Sequence, residues 1–251
     1  MDKLEGVLVG CDVNGEWLLP WWWKHYSAHN AYPVAFVDFG MSSGAKAWCQ
    51  TRGIYIELPP TSLCLHKVPK KRGELWELRT SSDLWRMRSV WFKKPFAFLK
   101  APFLHTCWID LDCEIKGSLE PLFSCLFLGA EIALMKEAGE GVAIRKASRL
   151  IFSDESVYNS GVVVFRQQAK ILHQWVDLVL NENQKFMGDQ DALSRAIYLH
   201  RPLLVELPAT YNWSVFNEHN PEAIIIHHLA SSKWRLLEKL AQESQFPFIV
   251  L

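Results

Sequence analysis

Short apolar runs alternate with amphipathic stretches along most of the chain, and turn-forming residues separate them. The apolar runs predict buried strands at 6–11, 33–40, 53–59, 105–109, 131–135, 162–165, 203–208 and 223–227. The amphipathic stretches predict helices at 17–29, 45–52, 167–180 and 189–200. Strands that are apolar throughout and alternate with helices are typical of a mostly parallel sheet covered on both faces. The pattern therefore predicts an α/β fold.

Other segments give weaker signals. Residues 60–73 contain a basic run and predict a solvated surface loop, whereas 74–100 predict helical structure that Pro95 interrupts. Residues 137–157 are rich in glycine and charge and predict irregular structure, and a turn is expected at 158–161. The tail is predicted to be partly helical. Because no repeat, low-complexity block or linker divides the sequence, we expect one domain over residues 1–251.

The composition narrows the possible functions. The 27 basic and 27 acidic residues cancel, which argues against a nucleic-acid-binding protein. Six cysteines without a C-x-x-C pair argue against a zinc cluster. The sequence starts without the form of a signal peptide, and no apolar stretch approaches the roughly 20 residues of a transmembrane span. We therefore expect a soluble, cytoplasmic protein. Twelve tryptophans are unusual for this length, and we expect many of them in the core.

Two acids, Asp110 and Asp112, follow the predicted strand 105–109. Alternate side chains of an extended segment point the same way, so the two carboxylates can share one ion. Neighbouring carboxylates repel each other unless a cation lies between them, and Mg²⁺ or Mn²⁺ takes oxygen ligands. A turn with two solvated acids is the structural alternative, so the metal hypothesis depends on the rest of the chain.

Polar clusters recur at other predicted strand ends, which is where open α/β sheets bind ligands. They are Asp12, residues 159–161, residues 189–191, and His227 with His228 and Lys233. Each also has a structural alternative: an Asx turn, a glycine turn, a helix cap and a hydrogen-bonded core histidine. The order of the clusters is more specific than any single one.

These clusters together resemble glycosyltransferase family 8, the retaining group of glycogenin and the lipopolysaccharide galactosyltransferases. Asp110-Leu111-Asp112 is similar to the Asp-x-Asp motif of metal-dependent nucleotide-sugar glycosyltransferases. Later blocks of the family are similar to 158–162, 188–194, 207–212 and 227–234. The resemblance implies a single GT-A domain with a mostly parallel central sheet flanked by helices. Its nucleotide-binding part would cover about 1–115, and its acceptor and closing-motif part about 116–251.

The resemblance also implies roles for individual residues. Asp110, Asp112 and His227 would hold Mn²⁺ or Mg²⁺ against the diphosphate of a UDP-sugar. Asp189 and Gln190 are the implied catalytic residues, as nucleophile, charge stabiliser or positioning group. The implied substrate-binding residues are Val9, Cys11 and Asp12 for uracil and ribose, Lys93 for the donor sugar, Asn159 and Ser160 for the sugar and acceptor side, and Lys233 for the diphosphate.

The implied reaction transfers a hexose, with UDP-glucose or UDP-galactose as donor, to a hydroxyl of a glycan, lipid-linked or protein acceptor. The sequence departs from the family at several places. Ala230 replaces a glycine of the closing motif, a proline is missing before Trp234, and lysines at 93 and 94 stand where the family carries an arginine. His228 is an alternative to His227 as metal ligand.

Two other functions fit a similar sheet. A sugar-nucleotide nucleotidyltransferase would need a basic glycine-rich loop after the first strand, but residues 10–15 contain no lysine or arginine. A catalytically silent protein that binds a nucleotide sugar or a protein partner is the other alternative. Trp85, Trp91 and Trp213 are candidates for stacking on a glycan, although core packing is an alternative role for each.

Overall fold

The computed structural model describes residues 4–59, 63–80, 83–127, 129–147, 150–229 and 232–242. The strands, in chain order, are β1 (Glu5–Cys11), β2 (Val34–Asp38), β3 (Ile54–Glu57), β4 (His105–Ile109), β5 (Cys113–Ile115), β6 (Ile132–Lys136), β7 (Tyr158–Arg166), β8 (Leu204–Glu206), β9 (Trp213–Ser214) and β10 (Ile225–His227). Seven of them form the main sheet in the order β3-β2-β1-β4-β7-β6-β8, and β5, β10 and β9 form a small second sheet.

The main sheet is mostly parallel, as the apolar strands predict. β1, β2, β3 and β4 run in one direction, and β6 is parallel to β8. β7 is antiparallel to both of its neighbours, β4 and β6. Its first residues therefore lie at the edge where β4 ends, and the Asp110 N–H donates to the Gly161 carbonyl at 2.8 Å.

Helices cover both faces of this sheet. They are α1 (Leu19–His29), α2 (Ser43–Gln50), α3 (Lys70–Arg79), α4 (Leu84–Trp91), α5 (Lys94–Phe98), α6 (Glu120–Ser124), α7 (Glu140–Ala147), α8 (Lys170–Glu182), α9 (Asp189–His200) and α10 (Ser232–Gln242). Single 3-10 turns occur at Glu16–Leu18, Asn183–Lys185 and Ala209–Tyr211. Ala230 and residues 243–251 of the predicted tail lie outside the described residues.

Successive side chains of the central strands enter two separate apolar layers. In β4, Cys107 and Ile109 pack with α1 residues such as Trp22, whereas Trp108 packs on the other face with Trp175. This alternation is the period of a strand, and burial on both faces explains why the strands lack a polar side. Several tryptophans pack in these layers, and the Trp22 and Trp175 side chains are fully buried.

The structure corrects three local predictions. The basic run expected in a loop begins α3, because Trp76 anchors that helix in the interior at 0% exposure. The segment expected to be irregular contains α7, which Arg145 joins to Glu137 at 2.9 Å. Residues 158–161 belong to β7 instead of a turn, since Tyr158 pairs with β6. As predicted, the helical stretch is interrupted next to Pro95: α4 ends at Trp91 and α5 begins at Lys94. Pro95 lies in the first turn of α5, a position that proline tolerates.

Within the described part of the chain, no helix combines the length and the apolar character needed to cross a membrane. All six cysteines are unpaired, and four of them, Cys11, Cys49, Cys107 and Cys113, are buried among apolar side chains.

Candidate metal and sugar site

The two acids that follow β4 meet a histidine from the end of β10. His227 Nε2 lies 3.2 Å from Asp112 Oδ1 and 4.0 Å from Asp110 Oδ2. Asp112 and His227 are buried, whereas the Asp110 side chain is 28% exposed. We call Asp110, Asp112 and His227 the acid–imidazole cluster. The second sheet builds it, because β10 pairs with β5 directly after the Asp-x-Asp turn.

A chain of hydrogen bonds fixes the His227 tautomer. The Gly161 N–H donates to Asn159 Oδ1 at 2.8 Å, so that atom is an acceptor. Asn212 Nδ2 also donates to Asn159 Oδ1, which turns Asn212 Oδ1 toward His227 Nδ1 at 2.9 Å. His227 Nδ1 therefore carries a hydrogen, and in the neutral ring Nε2 presents a lone pair to the two carboxylates.

The geometry of the cluster fits a divalent cation. A lone pair that faces two carboxylates requires a proton or a metal ion between them. On an octahedral ion, ligand atoms about 2.1 Å from the metal are separated by about 3 Å at right angles and by about 4 Å across it. The separations of 3.2 and 4.0 Å match these two values. Oxygen and imidazole donors are suitable for Mn²⁺ or Mg²⁺.

Lys233 completes the cluster from the first turn of α10. Its Nζ pairs with Asp112 Oδ2, the oxygen that does not face His227. Burial alone would raise the pKa of Asp112, but the Lys233 ammonium holds that pKa well below its usual range. The Cys113 Sγ also lies near, and Asp112, Cys113 and His227 place one donor atom each within 4.8 Å of one another. Because burial raises the pKa of the Cys113 thiol well above its ordinary value, sulfur is the weakest donor present.

A buried lysine joins the cluster to Asp189. Lys94 Nζ contacts Asp110 Oδ1 at 2.9 Å and Asp189 Oδ2 at 3.4 Å, and it donates to the Ser160 carbonyl at 2.9 Å. Trp108 Nε1 also donates to Asp110 Oδ1 at 2.6 Å. Because these two donors occupy Oδ1, the other Asp110 oxygen faces His227.

Lys94, and not Lys93, therefore enters the site. Lys93 Nζ donates to the Phe39 carbonyl at 2.7 Å. Consecutive helical residues point about 100° apart, so only one of two adjacent lysines can face the acids. Burial would lower the pKa of Lys94, but the carboxylates of Asp110 and Asp189 raise it. The sequence contained both lysines at the start of a helical stretch but no signal that distinguished them.

Asp189 is held inside the site instead of capping its helix. Its Oδ2 accepts from Ser160 Oγ at 2.9 Å, and the N-cap of α9 is Gly188 without a side-chain cap bond. Burial raises the pKa of Asp189, although Lys94 opposes that shift. Asp191, in contrast, accepts from the Met187 N–H at 3.2 Å, which ties down the preceding loop.

Glu137 is a site residue that the sequence did not predict. Its Oε1 accepts from Asn159 Nδ2 at 2.9 Å and from Gln190 Nε2 at 3.0 Å, while Oε2 pairs with Arg145 at 2.9 Å. Asn212, also without a predicted role, supports His227. Both connect segments distant in sequence, so local spacing carried no signal for them.

The residues predicted to bind uracil and ribose lie at the end of β1. The Val9 and Cys11 side chains are buried, so only their backbone can face a ligand, and burial raises the Cys11 pKa. Asp12 forms an Asx turn by accepting from the Asn14 and Gly15 N–H groups, each at 3.1 Å. Arg86 lies 3.5 Å from its other oxygen.

His228 points away from the acid–imidazole cluster. Its Nε2 lies 3.2 Å from Glu114 Oε2, so His227 is the histidine that faces the acids. Two of the tryptophans suggested for glycan stacking use their indole N–H within the protein: Trp85 donates to Glu77 and Trp213 to the Glu218 carbonyl. Trp91 packs close to Gly188.

No protein-family model and no curated protein matches the sequence. Solved structures do match the fold. The galactosyltransferase LgtC, in complex with donor and acceptor sugar analogues, aligns with a TM-score of 0.63 at 12% identity, covering 98% of this chain and 97% of LgtC. Mouse xyloside xylosyltransferase 1 aligns with a TM-score of 0.57 at 13% identity over 89% and 97% of the two chains.

The glycosyltransferase GlyE of Streptococcus pneumoniae TIGR4 aligns with a TM-score of 0.58 at 15% identity, over 97% of this chain and 64% of GlyE. These neighbours are glycosyltransferases, and their alignments span nearly the whole length of this chain. The protein therefore has the GT-A glycosyltransferase fold.

Proposed function

We propose that this protein is a metal-dependent retaining glycosyltransferase that moves a hexose from a UDP-sugar to an acceptor hydroxyl. The observation that carries the proposal is the convergence of Asp110, Asp112 and His227 with their donor atoms at octahedral spacing. The fold supports it, since the similar LgtC structure contains donor and acceptor sugar analogues.

Asp110, Asp112 and His227 would hold the cation, and Asn212 would keep the His227 ring oriented. A bound Mn²⁺ or Mg²⁺ would supply positive charge for the diphosphate and the departing UDP. Lys233 would exchange its partner, Asp112, for a phosphate oxygen, which a flexible ammonium on an exposed stem can do. The backbone at 9–11 and Asp12 would lie against the nucleoside.

Asp189 and Gln190 would position the sugar and the acceptor. The Asp189 Oδ2 is already bonded to Ser160 and Lys94, so this oxygen is poorly placed to attack carbon. Retention is then best served by a front-face route. The bond between the anomeric carbon and the diphosphate oxygen breaks, the acceptor oxygen forms the new bond, and its proton passes to the departing phosphate. Electrostatic stabilisation of that phosphate would provide most of the acceleration.

The test is a panel of UDP-sugars examined with and without Mn²⁺, using calorimetry for binding and UDP release for turnover. We expect UDP-glucose or UDP-galactose to bind only with the metal present. Asp112→Asn should lower Mn²⁺ affinity by at least about 100-fold, and Asn212→Leu by about 10- to 100-fold. Asp177→Asn, which changes an exposed acid on α8, is the matched control.

Two outcomes would contradict the proposal. Full UDP release by Asp112→Asn would remove the metal mechanism. Nucleotide-sugar binding without release of UDP, in the presence of a broad acceptor panel, would support a binding protein of this fold instead.

A further inference from the structure

A cavity of about 300 Å³ lies beside the acid–imidazole cluster. Its walls come from α1, which supplies Trp21 and His25, from Glu114 of β5, and from α10, which supplies Arg235. The described residues that line it do not include Asp110, Asp112 or His227. The cavity is therefore distinct from the cluster. The two are connected through the His228 N–H, which donates to the Asp112 carbonyl at 2.8 Å.

Two aromatic side chains line the cavity. Trp21 is buried, and its ring packs edge-on against His228 with a centroid distance of 5.6 Å. Phe216 also lines the cavity, yet 60% of it is exposed. An exposed phenylalanine beside a cavity is an available surface for the apolar face of a ligand ring.

The polar part of the wall is built around Glu114. Its two oxygens lie 3.2 Å from His228 Nε2 and 3.8 Å from His25 Nε2. The His25 ring is itself anchored, because Nδ1 donates to the Trp21 carbonyl at 2.8 Å. Two basic side chains, Lys24 and Arg235, also line the cavity and are exposed.

The polar part of the wall offers both an acceptor and donors. Glu114 can accept hydrogen bonds from a ligand, and Lys24 and Arg235 can donate them. Hydroxyl groups are compatible with both, since they donate to a carboxylate and accept from ammonium or guanidinium groups. The volume is at the lower limit of ligand pockets, about 300 to 1,000 Å³, and admits a molecule of roughly one ring.

We propose that this cavity binds one neutral sugar ring, with Trp21 and Phe216 against its apolar face and Glu114 bonded to its hydroxyls. The proposal concerns binding alone and does not rest on the transfer reaction. It assigns the protein a second contact with carbohydrate, separate from the acid–imidazole cluster.

The test uses the full chain without nucleotide or metal and measures saturation-transfer difference NMR with glucose, galactose, xylose and N-acetylglucosamine. We expect saturable binding of at least one sugar, weakened by about tenfold in Phe216→Ser and in Glu114→Gln. Phe152→Ser is the matched control, because Phe152 is similarly exposed at 49% but does not line the cavity. Unfolding temperatures identify any variant that fails to fold.

Three results would overturn this proposal: no binding of any of the four sugars, binding that survives both cavity substitutions, or binding that Asp112→Asn abolishes as strongly as Phe216→Ser. The last result would assign the sugar to the acid–imidazole cluster. Sugar binding by this cavity together with failure to bind UDP-sugars would leave this inference standing and remove the proposed transfer function.

Discussion

Two aspartates at the same edge of the main sheet have very different surroundings. Asp38, the last residue of β2, accepts from the Gly40 and Met41 N–H groups at 2.7 and 2.6 Å and from the Tyr55 hydroxyl at 2.7 Å. Its cation is Lys46, at 2.8 Å. Three of these partners are within eight residues along the chain, and they hold the carboxylate as part of the fold.

Asp112 instead takes its partners from the far end of the chain. Its contacts with His227 and Lys233 are both to ionisable side chains, and neither is a fixed backbone donor. Folding alone supplies Asp38 with its hydrogen-bond donors. Asp112 faces a histidine lone pair and a flexible lysine, so a bound ligand would supply its remaining partner. The comparison separates a structural acid from a candidate functional one.

The largest effect should follow from removing Lys94, whose ammonium group pairs with the carboxylates of Asp110 and Asp189. Lys94→Met leaves Asp189 buried without its partner, which should lower the free energy of unfolding by about 3–5 kcal/mol. Lys93→Met is the control, since it removes one hydrogen bond to a carbonyl and should cost about 1 kcal/mol. Urea unfolding measures both. Equal losses of stability in the two variants would show that the Lys94 charge does not compensate the buried charge of Asp189.

A smaller effect should come from crowding the histidine. A Cβ on Gly161 would lie 2.2 Å from His227 Cε1, so Gly161→Ala must displace the ring. We expect Mn²⁺ affinity to fall by about 10- to 100-fold and stability by about 1–3 kcal/mol. At Gly15 the nearest atom would be 3.5 Å away, which makes Gly15→Ala the control. A folded Gly161→Ala protein with unchanged Mn²⁺ affinity by calorimetry would contradict the assignment of His227.

The smallest effect concerns Asp38 and depends on pH. Burial raises the pKa of Asp38, but Lys46, the Met41 and Gly40 N–H groups and Tyr55 bring it to about 2. Because the pKa of Asp38 is lower in the folded protein than its unfolded value of about 3.9, the ionised carboxylate stabilises the fold above that pH. This stabilisation is lost as the pH falls toward 2. The free energy of unfolding of the wild type should therefore exceed that of Asp38→Asn by about 2 kcal/mol near neutral pH.

Urea unfolding of the two proteins at several pH values tests this expectation. The difference should shrink as the pH falls below about 4, and Mn²⁺ affinity at neutral pH should be the same in both. A stability difference that does not change with pH would mean that the charge of Asp38 does not stabilise the fold. An altered Mn²⁺ affinity would contradict the assignment of Asp38 to a structural role.

Local patterns were sufficient for most of the fold and for the centre of the site. Apolar runs located the strands of the main sheet, because a strand buried on both faces has a distinctive composition. They did not give the direction of β7, since a uniformly apolar strand looks the same either way. β5 and β9, of three and two residues, were too short to produce a pattern.

The supporting residues of the site could not be predicted in the same way. Asp110 and Asp112 follow a strand and are two residues apart, which is a local signal. The roles of Lys94, Glu137 and Asn212 depend on contacts between segments far apart in sequence. The residue types alone do not predict these roles, because each role depends on one tertiary contact. Lys94 contacts Asp189, Glu137 contacts Gln190, and Asn212 contacts His227.

The position of β10 has a consequence for the order in which the molecule acquires its parts. All seven strands of the main sheet are synthesised by Glu206, whereas His227 and Lys233 follow later. The acids after β4 are therefore synthesised long before their imidazole partner, and the acid–imidazole cluster cannot form until β10 has left the ribosome. The capacity to bind a cation would therefore arise only after β10 and the start of α10 have been synthesised.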